Sequence, residues 1–252
     1  MIKIDDIQKL VQLVLLSGYL RNSNPLSILF IGKAGIGKTE LSTAFRSSRA
    51  VVMNDLSKTG VYDEIQQNKK LKHIIIPDFI KITQKRRATS DDLVSTLNAA
   101  TEEGLTKISL FSYKQNFKGK KIGIITSTTK ASFAQHRRNW EAIGFVSRML
   151  ICSFSYADDT IKEIMSYIEH ESYLNDSQKQ KIRGMKDLEV KSTPELNKQL
   201  EKINENQFRK QKQLQTLLKC NAILRGDNRV IQEDVDEILR LSKYLNLNYT
   251  KI

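Results

Sequence analysis

Ser27-Ile28-Leu29-Phe30-Ile31-Gly32-Lys33-Ala34-Gly35-Ile36-Gly37-Lys38-Thr39-Glu40-Leu41-Ser42-Thr43-Ala44-Phe45 is the stretch whose reading decides the fold. Its centre, Gly32 to Thr39, fits G-x-x-x-x-G-K-[ST] at every fixed position. The apolar run before it reads as a buried parallel strand, and the apolar residues after it fall at helical spacing. Strand, glycine loop and helix together turn the pattern into a mechanism. Glycines let the backbone wrap tightly, so that successive N–H groups and a helix N-terminus point at phosphates. The cradle expected from this runs over Gly32, Lys33, Ala34, Gly35, Ile36, Gly37, Lys38, Thr39 and Glu40. Lys38 would add charge at the β- and γ-phosphates, and the Thr39 hydroxyl would ligate Mg²⁺. The expectation is a nucleoside triphosphate site.

Outward from the loop, Ala50 to Met53 reads as a second strand, with a break from Asp55 to Gly60 and a short helix from Tyr62 to Lys70. His73-Ile74-Ile75-Ile76-Pro77-Asp78-Phe79 is an apolar strand that ends in an acid. An acid at that point, downstream of a phosphate loop, can hold the Mg²⁺ shell opposite Thr39, which makes Asp78 the second metal candidate. Phe79 follows where a water-polarising Glu is usual, so Asp91, Asp92, Glu102, Glu103 and Glu141 stand as alternative carboxylates. Ser90-Asp91-Asp92 reads as an N-cap for a helix that ends near Gly104. Thr106 to Tyr113 and Lys121 to Thr126 flank Lys114-Gln115-Asn116-Phe117-Lys118-Gly119-Lys120. This is either a β-hairpin with a basic tip or a strand and loop before a core strand. Such a tip could grip nucleic-acid backbone, with Phe117 or Tyr113 stacking on bases, or be a solvated lysine loop. Ile122 to Thr128 is a further buried strand, and Thr126 and Thr128 are both candidates to position water near a γ-phosphate.

The formal charge is 41 − 28 = +13 over 252 residues. A surplus of that size suits a polyanionic partner, nucleic acid above all, or a generally lysine-rich surface. Cys152 and Cys220 have apolar neighbours and no partner at ligand spacing, which predicts buried thiols in a reducing cytoplasm. The apolar run Leu10 to Leu20 is too short to span a bilayer. It belongs to a first helix started by Asp5 or Asp6 and ended near Gly18. Met149 to Phe154 is a fifth apolar run. From Ala157 the pattern turns helical, so the expected division is an α/β nucleotide core over 1–155 and an all-helical region over 156–252. That region should hold an amphipathic helix with Ile161, Ile164, Met165 and Ile168 on one face. A short helix over about 175–185 should follow, then a long one opened by Ser192-Thr193-Pro194-Glu195 and closed at Arg225-Gly226, and a last one from Gln232.

So ordered, the chain resembles AAA+ ATPases over nearly its whole length. Gly32–Thr39 resembles Walker A, the strand ending at Asp78 resembles Walker B, and Thr128 (or Thr126) falls where sensor 1 belongs. Gly144-Phe145-Val146-Ser147-Arg148 resembles the arginine-finger segment. Ala222-Ile223-Leu224-Arg225-Gly226 with Val230 to Val235 is similar to the lid ending of minichromosome-maintenance helicases and magnesium chelatases. The resemblance implies a P-loop core with a five-stranded parallel sheet, helices on both faces and a small helical lid. It implies ATP and Mg²⁺ as cofactors, with Lys38, Asp78 and Thr128 as catalytic residues, Arg148 reaching a neighbouring subunit's γ-phosphate and Arg225 as sensor 2. It implies a homo-oligomer, a hexameric ring or a filament, that acts on DNA in replication, loading or mobile-element maintenance. Phe79 and the short spacing between the two Walker motifs depart from that pattern. They keep open a second function, an ATP-dependent switch or scaffold with little hydrolysis. Small ATP-binding proteins of plasmids and viruses share this overall pattern.

Overall fold

The computed structural model describes residues 4–110, 113–170, 187–204 and 207–247. Five parallel strands, β1 (Ile28–Gly32), β2 (Ala50–Val52), β3 (His73–Ile76), β6 (Gly123–Thr129) and β7 (Leu150–Ser153), form one sheet in the order β2-β3-β6-β1-β7. A separate antiparallel hairpin is made by β4 (Leu105–Leu110) and β5 (Tyr113–Lys120). The sheet strands are near-continuous apolar runs because both faces are covered.

Side chains alternate along each strand and so divide the core in two. Ile28, Phe30, Ile75, Ile125, Leu150 and Cys152 face a layer built from α1 (Asp5–Ser17), α2 (Lys38–Thr43), α10 (Phe208–Arg225) and α11 (Gln232–Leu241). Leu29, Ile31, Ile74, Ile76, Ile124 and Ile151 face α3 (Lys58–Gln67), α4 (Ile80–Thr83), α5 (Arg87–Asn98), α6 (Lys130–Ala142) and α7 (Phe145–Arg148). The C-terminal helices therefore share one apolar core with the sheet. Leu214, Leu217, Leu218, Val235, Ile238 and Leu241 are fully buried in it. Both cysteines are buried and free, as expected. Among the described residues no helix is long and apolar enough to cross a membrane.

Several local expectations are corrected. α5 begins at Arg87, so Ser90 lies inside the helix and is buried rather than capping it; a π turn over Ala99–Glu103 then leads to Gly104 at φ +84°. Asp5 and Asp6 sit in the first turn of α1 behind an N-cap at Ile4, where they favour the positive end of the helix dipole. Lys114 to Lys120 is a strand of the hairpin, not its tip, and Phe117 is buried against Tyr62, with ring centroids 5.6 Å apart. Phe117 is thus unavailable for stacking on a base. The long C-terminal helix is interrupted: α9 (Pro194–Gln199) continues as a 3₁₀ turn to Ile203, and α10 starts afresh at Phe208, which is 88% exposed. Thr193 caps α9 by accepting from the Leu196 N–H. The short helix expected over about 175–185 lies outside the described residues.

Candidate functional site

In a parallel sheet all carboxyl ends share one edge, and the chain crosses that edge three times with polar residues. Gly32 ends β1, where Gly35 (φ +77°) and Gly37 (φ +75°) take left-handed conformations and turn the chain into α2. A Cβ on Gly32 would meet Ile36 Cδ1 at 2.4 Å, so a larger residue here would require the Ile36 side chain to move. The Tyr156 hydroxyl, just beyond β7, donates to the Ile36 carbonyl at 3.2 Å and braces the loop from the C-terminal region. Burial pushes the Tyr156 phenol up, and the Glu40 carboxylate adds to that.

The order β3-β6-β1 sets one strand between the loop and Asp78, a separation of about 10 Å at ordinary strand spacing. The register pairs Ile31 with Thr128 and Ile76 with Thr126, so continuing β3 by two residues brings Asp78 level with Thr128. The Phe79 N–H donates to the Ser127 carbonyl at 2.9 Å and keeps that alignment past the end of the strand. Loop, Thr128 and Asp78 stand in one row.

The three polar groups of the row differ in their commitments. Lys38 is 8% exposed and folds back to donate to the carbonyls of Gly32 (3.2 Å) and Lys33. Desolvation lowers its pKa, with the Asp78 charge opposing that shift. Asp78 is half-buried and accepts from the Ile80 N–H at 3.1 Å through one oxygen. Thr128 is 1% exposed, and its hydroxyl has no hydrogen-bond partner among the described residues. Thr126 and Ser127 are instead tied to the Ile76 and Pro77 carbonyls at 2.7 and 2.6 Å. Register therefore separates two threonines that the sequence leaves equivalent. Thr39 is solvent-exposed on the first turn of α2.

These residues fit a magnesium–triphosphate group. An ammonium, a free hydroxyl and a half-buried carboxylate line one edge beside a glycine loop. Among the described residues no cluster of three or more His, Cys, Asp or Glu could hold a metal alone, and Mg²⁺ commonly takes only one or two protein oxygens beside phosphates and water.

Phe79 does not face this row. It is fully buried, stacked on Phe145 (4.7 Å between centroids) and edge-on to Trp140 (5.2 Å). The alternative carboxylates are engaged elsewhere: Asp92 with Lys58 at 2.7 Å, Asp91 with Asn139 at 3.3 Å, and Glu141 with Arg137 at 2.8 Å. Glu102 and Glu103 lie at the opposite, amino edge of the sheet with Arg148.

Arg148 lies two residues before β7, whose Leu150 N–H donates to the Ser27 carbonyl just before β1. It is thus a strand length from its own loop, about 16 Å for five residues. Its Nη1 donates to the Gly144 carbonyl at 2.9 Å. Its Nε lies 2.9 Å from Glu102 without hydrogen-bond alignment, and its Nη2 is 3.4 Å from Glu103. Arg225 is spent on the α10–α11 turn. It pairs with Asp227 and Asp234 at 3.0 Å each and donates to the Arg229 carbonyl. Asp234, itself fully buried, also accepts from the Asn221 amide and the Ile231 N–H. His136 stacks on Trp140, with ring centroids 5.6 Å apart.

Sequence reasoning missed the aromatic side of the site. Phe154, Tyr156 and Tyr244 join Ile4, Ile7, Asp5 and Asp6 around a cavity of about 320 Å³, with Tyr156 as the wall shared with the loop. Aromatics at alternating positions just past a sheet strand were the available signal. α8 (Asp158–Glu169) leads away from Tyr156 as an amphipathic helix, but Ile161, Met165 and Ile168 are 45–54% exposed, not covered by the described residues.

Comparison with models of known protein families and with curated proteins finds no match.

Proposed function

We propose that the chain is an AAA+-type ATPase that binds ATP with Mg²⁺ on the Gly32–Glu40 loop, assembles through that site and acts on DNA. The observation that carries this reading is the row of Lys38, Thr128 and Asp78, with the Thr128 hydroxyl buried and unpartnered. An unsatisfied buried hydroxyl costs stability, and its retention at this edge is accounted for by a ligand it can bond. Bound ATP supplies the phosphoanhydride. With ATP bound, Lys38 would exchange its two carbonyls for phosphate oxygens, Thr39 and Asp78 are the residues that would hold the metal, and Thr128 would bond the γ-phosphate or the attacking water. The cavity beside Tyr156, walled by Phe154, Tyr156 and Tyr244 and bordered by Asp5 and Asp6, can take the base.

A single subunit hydrolyses slowly in this scheme, because Phe79 offers no carboxylate and packs into the core. Turnover rises on assembly, when Arg148 leaves Glu102 and Glu103 for a neighbour's γ-phosphate. The burial of Phe79 also favours a second reading, a nucleotide-dependent switch or scaffold with no productive turnover. Steady-state ATP turnover against protein concentration, for wild type, Lys38→Ala and Arg148→Ala, with and without single-stranded DNA, decides between them. The ATPase reading expects turnover that needs Lys38 and Arg148 and climbs with ATP-dependent assembly. Tight ATP binding with no turnover under any condition selects the switch. Normal turnover in a monomeric Arg148→Ala protein removes the finger.

A further inference from the structure

A second cleft lies at the amino edge of the sheet, away from the loop. It measures about 380 Å³ and is walled on one side by residues 22–27 and on the other by α10. Arg209, Lys212, Thr216 and Lys219 follow one another at i, i+3, i+7 and i+10 and so share one face of that helix. The row runs about 15 Å at helical rise, longer than one phosphate group. Four cationic side chains line the cleft against one carboxylate, Glu102. That carboxylate is already shared by Arg148 and Arg209, at 2.9 Å from each. The Lys212 and Lys219 ammonium groups have no hydrogen bond or ion pair among the described residues. Among the described residues no aromatic side chain lines the cleft, and Asn22 and Asn24 stand in the facing wall.

We propose that this cleft holds the phosphodiester backbone of single-stranded nucleic acid. The inference rests on the DNA-acting function proposed above and names the surface that would carry it. The two unpaired ammonium groups, about 10 Å apart along the helix, can each meet a phosphate of one strand, and with no stacking ring among the described lining residues the contact is electrostatic and indifferent to sequence. Lys118 of the hairpin lines a smaller hollow of about 220 Å³ with Lys69 and Lys120, a second basic surface that the test below also covers.

The test is fluorescence-anisotropy binding of a labelled oligodeoxythymidylate to the full chain over a range of salt. Each lost phosphate contact makes the slope of log K against log salt shallower by about 0.7 for single strands. Lys212→Ala/Lys219→Ala should therefore lose about 1.4 in slope, and between about 50 and 200 mM salt its affinity should fall about sevenfold less than that of wild type. Its thermal midpoint and ATP binding should match wild type, because neither ammonium has a partner to lose and the loop is at the other edge. An unchanged slope in this variant while wild type binds overturns the cleft and leaves the DNA reading intact, with Lys114→Ala/Lys118→Ala as the next variant. No salt-dependent binding by wild type removes the DNA reading itself. Displacement of the strand by pyrophosphate at an equal, low ionic strength overturns the proposal in favour of a small-phosphate site. Loss of ATP-dependent assembly in the double variant with strand binding intact overturns it in favour of a subunit interface.

Discussion

Thr128→Val replaces a buried hydroxyl with a methyl group at the same branch point. The hydroxyl is 1% exposed and unpartnered, so the unliganded protein bears its desolvation cost, about 1–3 kcal/mol, with no bond in return. Removing it should stabilise the unliganded protein by about 1 kcal/mol, which for a chain of this size raises the thermal midpoint by about 2–4 °C. The same substitution should cost function, since a donor aimed at developing charge is worth about 10²-fold in turnover. Thr126→Val is the control on the same strand, one pleat away. It breaks the 2.7 Å bond to the Ile76 carbonyl and should lower stability by about 1 kcal/mol while leaving turnover alone. Thermal unfolding with and without Mg²⁺–ATP, alongside steady-state hydrolysis, reads both effects. If Thr128→Val unfolds as early as Thr126→Val, or if its turnover and ATP-induced thermal shift equal those of wild type, the reasoning fails.

Phe79→Ala should cost about 3–5 kcal/mol by chemical denaturation, because it empties a site between Phe145 and Trp140. Phe79→Glu should also destabilise without speeding hydrolysis; faster turnover would place this side chain at the nucleotide after all. Arg225→Ala should lower stability, by leaving buried Asp234 with one partner fewer. Its ATP affinity should not change, and intact stability with lost turnover would assign the guanidinium to the phosphates. Burial holds the His73 imidazole down to about 4, from an ordinary 6.5, with its Nε2 at 3.2 Å from the Leu26 carbonyl. The unfolded chain then binds the extra proton first as pH falls. His73 thus costs nothing above pH 6.5 and removes up to about 3 kcal/mol between there and pH 4. Denaturation free energies across that window should fall less steeply in His73→Gln than in wild type.

How much of this could be read beforehand depends on how local each cause is. The β1–loop–α2 unit and the β3 end at Asp78 follow from apolar runs, fixed glycines and one acid, all within a few residues of each other. The roles of Thr126 and Thr128 do not, because their difference is a matter of register against Ile76 and Ile31, contributed by two other strands. Phe79 shows only as an omission in the sequence. That it is a core aromatic depends on Phe145 and Trp140, more than 60 residues on. Arg225 matches a motif position, yet Asp227 and Asp234 hold it locally, a competition between near neighbours that a one-residue match ignores. The break between α9 and α10 was hidden because helical spacing runs on through a stretch where Asn204 bonds the Gln211 side chain across the gap. The cleft along α10 was illegible for another reason. Its lysines read as an ordinary solvated face until residues 22–27 are folded against them.

Titration calorimetry of Mg²⁺–ATP into wild type and Lys38→Ala tests the central claim most directly. The account predicts saturable binding at one site per chain, weakened at least tenfold, about 1.4 kcal/mol, when Lys38 can no longer trade its Gly32 and Lys33 carbonyls for phosphate oxygens. Absence of binding by wild type, or equal binding by Lys38→Ala, would contradict it.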